Sequence, residues 1–279
     1  MVKYLSLIFS IIFLLGCVGD EELELSNEKI KEAKKIGNYS AIVLEREGIK
    51  LTEVFNIPKF KTIEVGLEAD NQRFNLGMNR IEFKSKNFNL GQRTIDQDIH
   101  KVRNEKRGQY LSVVRNNGPA VKQFGSNIEA SLNIGENYFL CFLNRSYDIS
   151  LKTPKAGFLF KINANSNGCS SNTNVMDSIA YVINQPSGVY TGLETNKILF
   201  DFYLKNVSIG KNGNYAVLSI NEIQFKLNKW APFWVTGLAK GKHIFNVEVF
   251  NKDGKKINSV FPNQCTSRIE LKTIDLFAE

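Results

Sequence analysis

Phe202-Tyr203-Leu204-Lys205-Asn206-Val207-Ser208-Ile209-Gly210 can be laid over Phe83-Lys84-Ser85-Lys86-Asn87-Phe88-Asn89-Leu90-Gly91. In each, a strand-like run ends on Lys-Asn and closes on a turn glycine. Asn and Gly tolerate the left-handed backbone that a reversing strand needs. The overlay continues downstream after one change of spacing: Gly108-Gln109-Tyr110 over Gly213-Asn214-Tyr215, Asn116 over Asn221, and Leu132-Asn133-Ile134-Gly135 over Leu238-Ala239-Lys240-Gly241. Each copy then runs into a strand, Tyr138 to Leu143 in one and Ile244 to Phe250 in the other. A period of this length marks two copies of one structural unit.

Each unit reads as β-structure. Apolar and polar residues alternate in short runs, Phe and Tyr are plentiful (20 and 9), and Pro is scarce (6), a composition that favours strands. Along Ile244 to Phe250, the alternation puts Phe245, Val247 and Val249 on the core side. Strands at this spacing, with turns such as Asn251-Lys252-Asp253-Gly254, fit antiparallel sandwiches of about 100 residues. The expected fold is therefore all-β, with two immunoglobulin-like β-sandwiches in tandem, the first over 41–163 and the second over 181–279. Residues 39–65 are strand-like and are expected to open the first sheet. The turn-forming stretch Asn163 to Asn174 places a linker at 164–180.

The start of the chain carries a different signal. A Lys at position 3 precedes an apolar run from Tyr4 to Leu15, ending in Leu14-Leu15-Gly16-Cys17. A dozen apolar residues suit an export signal, whereas a spanning helix needs about twenty. The last four residues resemble the bacterial lipobox, which implies a signal peptide over 1–16 and lipid on Cys17. Several acyl chains would anchor the protein stably to a membrane. Val18-Gly19-Asp20 places no acidic residue directly after Cys17, which leans the expected location in the cell envelope toward the outer membrane. Residues 17–40 read as a charged tether, with a short helix near 27–36 capped by Ser26 or Asn27.

Three cysteines remain beyond Cys17, so at most one intrachain bridge can form in a compartment that permits disulfides. Cys141 lies in an apolar run, where a buried thiol is expected. Cys169 and Cys265 lie in turn-rich or flanking segments and are the expected pair if a bridge exists.

Charge is uneven. Residues 61–163 carry sixteen basic against ten acidic residues, and 164–279 carry twelve against nine. A basic surface attracts phosphate, acidic glycans or nucleic acid, or simply serves solubility. The densest basic stretch is Lys101, Arg103, Lys106 and Arg107, between two expected strands, where sandwich loops can receive a ligand. Arg145, beside Ser146 and Tyr147, is a second candidate anion ligand, since guanidinium groups grip phosphate and carboxylate bidentately. In Lys229-Trp230-Ala231-Pro232-Phe233-Trp234, Trp230 and Trp234 stand four apart and would share a face of an extended strand, where they could stack on sugars or side chains. Core packing is the commoner fate of such rings.

Several runs resemble a family of envelope lipoproteins from Bacteroidetes-type bacteria labelled as phosphopeptide-binding. They are Asn87 to Gly91 with Gln92 and Thr94, Phe142 to Tyr147 continuing to Ser150-Leu151-Lys152, Ser187 to Gly192, Leu199 to Asn206, Lys229 to Phe233, Gly237-Leu238 and Asp253-Gly254. The resemblance covers roughly 75–275 and implies a phosphorylated peptide as ligand. Where that family often carries Gly-Gln-His and a second His two residues on, this chain has Gly108-Gln109-Tyr110-Leu111-Ser112. A metal site built on those two His would be lost here.

Only His100 and His243 occur, in different units at non-equivalent positions, and no phosphate loop, paired-His helix, nucleophile elbow or calcium loop has the right spacing. No catalytic residue, metal or cofactor is expected. Enzyme chemistry on glycans or phosphoesters would require the fold to gather carboxylates in a cleft. The expected function is a non-catalytic binding or adhesion module for a protein, peptide or glycan ligand of the envelope, not nucleic acid. The alternative is a structural or assembly component of an envelope complex.

Overall fold

The computed structural model describes residues 29–30, 35–36, 39–55, 57, 60, 62–69, 72–94, 105–172, 175 and 177–273, with 29–30, 35–36, 39–40 and 172 described by backbone alone. Among these the chain is all-β apart from three short 3-10 turns. Two sandwiches form, and their inner sheets pack against each other, so that four sheets stack in order.

The first sheet orders Asn127–Leu132, Gly77–Lys86 and Glu64–Leu67; the second orders Gly168–Asn172, Gly157–Asn165, Gly135–Asn144, Tyr110–Arg115 and Val121–Gln123. A core including Ile81, Phe83, Phe139, Cys141, Phe160 and Ile162 fills the space between them. The third sheet runs Lys29–Ile30, Val43–Arg46, Ile49–Glu53, Phe233–Thr236, Ile198–Lys205, Ala180–Gln185. The fourth runs Gly188–Thr191, Thr266–Lys272, Gly241–Phe250, Tyr215–Ile220, Ile223–Leu227, with Lys256–Ile257 beside Gly241–Phe250. Phe200, Phe202, Leu218, Phe245 and Val247 lie in the core between these two. Pairing in the ladders is antiparallel except between Gly188–Thr191 and Thr266–Lys272, which run parallel.

The repeat is present in the backbone. Asn87 and Asn206 both leave their strands with positive φ, 57° and 60°. Asn116 and Asn221 do the same after the next strand, with φ of 49° and 55°. The Asn116 side-chain oxygen accepts the Tyr138 amide at 2.7 Å, and that of Asn221 accepts the equivalent Ile244 amide at 3.0 Å. Asn116 and Asn221 thus supply the left-handed turn and also tie the neighbouring strand of the sheet, Gly135–Asn144 or Gly241–Phe250, to the end of their own.

Equivalent strands nevertheless meet different surroundings. In Gly77–Lys86, Met78, Arg80, Glu82 and Lys84 are exposed, as expected for a sheet with one wet face. The equivalent strand Ile198–Lys205 is buried on both faces: Ile198, Phe200, Phe202 and Leu204 point to their own core, while Leu199, Asp201 and Tyr203 point at the other sandwich. Opposite them, Leu140 and Phe142 of Gly135–Asn144 turn away from their own core and join Val182, Tyr203 and Phe261 in a third apolar cluster. A fourth cluster joins Val54, Tyr147, Ile149, Leu199 and Trp234.

Three expectations about organisation are corrected. The strands Val43–Arg46 and Ile49–Glu53 do not open the first sandwich. They form a hairpin whose second strand pairs with Phe233–Thr236, and Leu44, Ile49 and Leu51 enter the second sandwich's core. The physical reason is that Phe233–Thr236 would otherwise be an edge strand with open backbone groups. The boundary expected at 41 is thus moved: among the described residues of this stretch, Phe60, Ile63 and the strand Glu64–Leu67 are the ones that join the first sandwich. The expected linker at 164–180 is largely a hairpin: Asn165 to Gly168 make the turn, and Gly168–Asn172 is an edge strand of the first sandwich. Its turn formers serve a hairpin, not an interdomain joint, and Val175 and Ala180 are buried at the interface between the sandwiches. Of the helix expected near 27–36, Lys29–Ile30 and Lys35–Ile36 are strands, with Lys29–Ile30 paired on Val43–Arg46. The other residues of that stretch, like the signal region and Cys17, lie outside the described residues.

The pair named in case a bridge exists is not joined: Cys141, Cys169 and Cys265 are all free thiols. Cys169 packs on the first sandwich's core and Cys265 belongs to the second's, so different cores hold them. Cys141 is buried, as its apolar run implied.

Candidate functional site

Where the two sandwiches meet, a cleft of about 540 Å³ opens to solvent. The first sandwich lines it with Glu105, Lys106, Lys122, Tyr147 and Asp148; the second contributes Gln185, Ser187, Tyr190, Leu193, Glu194, Lys197, Leu199 and Trp234. Neither unit holds the site alone. Glu105 and Lys106 reach it because of the one change of spacing in the repeat: sixteen residues separate Gly91 from Gly108, where two separate Gly210 from Gly213. The insertion is tied down at both ends. The Thr94 amide donates to the Ser146 hydroxyl and the Ser146 amide to the Thr94 hydroxyl, at 3.2 and 3.0 Å, and the Glu105 amide donates to the Ser146 carbonyl at 2.6 Å.

On the first-sandwich side the charges are mutually engaged. Lys122 Nζ lies 2.7 Å from Asp148 Oδ1 and 3.4 Å from Glu105 Oε2. The buried Tyr110 hydroxyl donates to Asp148 Oδ1 at 2.6 Å. Burial, reinforced by the Asp148 charge, raises the Tyr110 phenol well above its usual pKa. Asp148 has φ of 62°, an uncommon setting for a non-glycine residue. Its carbonyl accepts the Asn184 side chain of the second sandwich at 2.8 Å, so the two sandwiches are bonded directly beneath the cleft.

On the opposite wall, Lys197 Nζ sits 3.9 Å from the centre of the Trp234 ring, a cation–π contact. Burial lowers the Lys197 pKa. No hydrogen bond or ion pair from its ammonium occurs among the described residues. Trp234 itself is 8% exposed, so it serves as a floor under Lys197, not as an open stacking platform.

The sequence candidates fare unequally. Lys106 lines the cleft, whereas Arg107 is exposed beside it with its guanidinium 3.9 Å over the Phe124 ring. Lys101, Arg103 and His100 lie outside the described residues. Arg145 is corrected from ligand to structural residue: it is 1% exposed, stacked 4.4 Å over Phe60 and 5.7 Å from Tyr147. Trp230 is corrected too. It packs against the cores at the junction, and its indole donates to the Phe202 carbonyl at 3.0 Å. Trp230 and Trp234 do not share a strand, because the strand begins at Phe233, and they enter different clusters. His243 is buried: Nε2 donates to the Ala239 carbonyl at 2.8 Å, leaving Nδ1 to accept from Asn221 at 3.2 Å, a structural role. Lys122, Asp148, Gln185 and Lys197 carried no local signal. The unequal spacing of the repeat marked the insertion that frames them.

Among the described residues no group of three His, Cys, Asp or Glu is placed to hold a metal ion. No helix there is long and apolar enough to cross a membrane.

No protein-family profile matches this chain, and no curated protein matches it. Among solved structures it is similar to the fibronectin(III)-like modules of Clostridium thermocellum CbhA, at 11% identity over 77% of this chain and 97% of that one, with a TM-score of 0.27. It is also similar to SGBP-B of the Bacteroides ovatus mixed-linkage glucan utilization locus, determined in complex with a mixed-linkage heptasaccharide. There the identity is 10% over 75% of this chain and 70% of that one, with a TM-score of 0.21.

Proposed function

We propose that this protein is a non-catalytic binding module of the bacterial cell envelope, held to a membrane by lipid on Cys17, and that it takes an anionic ligand in the cleft between its sandwiches. One observation carries the reading: the Lys197 ammonium, on an exposed side chain whose partial burial lowers its pKa, rests on the Trp234 ring without an anionic partner among the described residues. Partial desolvation of a charge increases what it gains from being paired. A carboxylate or phosphate entering the cleft would supply the missing partner through a charge-assisted hydrogen bond. Lys106, from the other sandwich, is exposed on the same cleft and can join it.

A non-catalytic role fits the state of the carboxylates. The cleft does gather Glu105, Asp148 and Glu194, yet the first two are engaged by Lys122 and Asp148 also by Tyr110. Phosphorylated peptides and uronic-acid glycans share the anionic chemistry.

Calorimetric titration of the full chain in detergent separates these ligands. The probes are a phosphorylated peptide, its unphosphorylated parent, an oligouronate and a neutral oligosaccharide. The anionic members should bind, and Lys197→Met should weaken them tenfold or more. Failure of all four to bind, or equal binding by parent and variant, refutes the reading.

A further inference from the structure

Beneath the cleft, Lys152 of the first sandwich meets Asp201 of the second. Asp201 is 0% exposed, and Lys152 Nζ lies 2.7 Å from its Oδ1. The two carboxylate oxygens are treated differently. Oδ2 accepts from the Ser150 amide at 3.1 Å, the Ser150 hydroxyl at 2.7 Å and the Asn184 side chain at 2.8 Å. Oδ1 is buried without a hydrogen-bond partner among the described residues, the Lys152 amine lying beside it at ion-pair distance. Lys152 Nζ donates to Ser150 Oγ at 2.6 Å and to the Phe202 carbonyl at 2.5 Å, and the rings of Trp230 and Phe202 lie 5.5 and 5.6 Å away. Burial lowers the Lys152 pKa, the direction that favours the nucleophilic free amine.

We propose that Lys152 and Asp201 condense to an isopeptide bond that joins the two sandwiches covalently. The arrangement divides the labour of acyl transfer. One Nζ proton passes to Oδ1 across their 2.7 Å contact. The amine lone pair attacks Cγ, and the electrons of the C–Oδ2 bond move onto Oδ2, where three aligned donors stabilise the developing charge. Ser150 Oγ, which accepts from Nζ and donates to Oδ2, holds both in place. A second proton passes from nitrogen to the departing Oδ1 across the same Nζ–Oδ1 contact, and the Oδ2 electrons return to re-form the carbonyl. The N–C bond forms, the C–Oδ1 bond breaks and one water leaves. No oxidant or co-reactant is needed. Holding amine and carboxyl together in a fixed cavity supplies the high effective concentration that such a condensation requires.

Peptide mapping of the parent chain decides the matter without relying on a variant. The full chain is purified, denatured and digested with trypsin, and the fragments are sequenced by mass spectrometry. An acylated Lys152 resists trypsin, so the bond yields residues 146–155 joined to residues 198–205, one water lighter than the two together. Lys152→Arg, whose guanidinium does not acylate, should lose this species while remaining folded by near-ultraviolet circular dichroism. Release of residues 146–152 and 198–205 as separate linear peptides overturns the proposal and leaves the contact an ion pair. Because the readout is a covalent mass, it is independent of ligand binding in the cleft.

Discussion

Phe142 and Tyr203 stack with ring centres 4.3 Å apart and planes 9° from parallel, one ring from each sandwich. Both are 0% exposed, and the Trp230 ring meets Tyr203 edge-on at 5.2 Å. The stack lies in the apolar cluster between the inner sheets, so it bears on whether the sandwiches unfold as one body.

Phe142→Ala should therefore destabilise the whole chain by about 3–5 kcal/mol, the usual cost of removing a buried Phe. Tyr203→Phe should act the other way. The Tyr203 hydroxyl is buried without a hydrogen-bond partner among the described residues, and deleting such a group is neutral or stabilising by about 1 kcal/mol. Denaturant unfolding followed by fluorescence and circular dichroism checks both. Coincident transitions are expected, and two separate transitions would contradict a shared interface.

Gly237 has φ of +89°, and a Cβ there would stand 2.0 Å from the Gly48 carbonyl oxygen. Gly237→Ala should force the 43–53 hairpin away from Phe233–Thr236 at a cost of about 2 kcal/mol or more, since a backbone contact has nowhere to yield. Hydrogen exchange would show amides of 49–53 and 233–236 losing protection together. A change confined to one strand would mean the pairing is not the affected contact.

Arg145→Ala should lower stability and leave affinity for anions unchanged, because Arg145 is buried against Phe60 and Tyr147 instead of facing the cleft. The loss should reach about 2 kcal/mol or more from packing and a vacated charge site. A normal thermal midpoint with weakened phosphopeptide binding would return Arg145 to the ligand site.

Burial pushes the Cys265 thiol from 9.0 up to about 12 and the Tyr181 phenol from 10.0 up to about 12. In the unfolded chain these groups ionise first, so the native state then binds more protons. Their stabilisation is complete below pH about 9 and is lost as pH rises toward 12. Lys152, Lys197 and Lys205, whose pKa values are lowered by burial, act in the opposite sense over the range up to 10.5. Comparing parent with Cys265→Ser isolates the thiol: the variant's unfolding midpoint should fall less steeply between pH 9 and 11. Parallel curves would show that the thiol does not contribute.

The repeat and the sandwich class were legible because they rest on local chemistry. Asn at 87, 116, 206 and 221 turns the chain wherever a strand must reverse, and alternating side chains declare a core face without reference to distant residues. Two further signals in the sequence were not decisive alone. The unbroken apolar runs Tyr138 to Leu143 and Ile198 to Phe200 lack the alternation of Ile244 to Phe250, which is what a strand covered on both faces looks like. A run of that kind says that something covers the second face, but not what.

Sequence by itself thus determined the main strands, their turns and their duplication, since each is written in residues close together along the chain. Only the tertiary structure decided that the 43–53 hairpin completes the far sandwich, that Asn165–Gly168 is a turn and not a joint, and that Arg145 and Trp230 are spent on packing. It alone set Lys197 opposite Lys106 and Lys152 against Asp201. The physical reason is the same in each case. Sheet edges and exposed faces bind whatever complementary surface the folded chain brings to them, and that pairing depends on long-range geometry that no local pattern encodes.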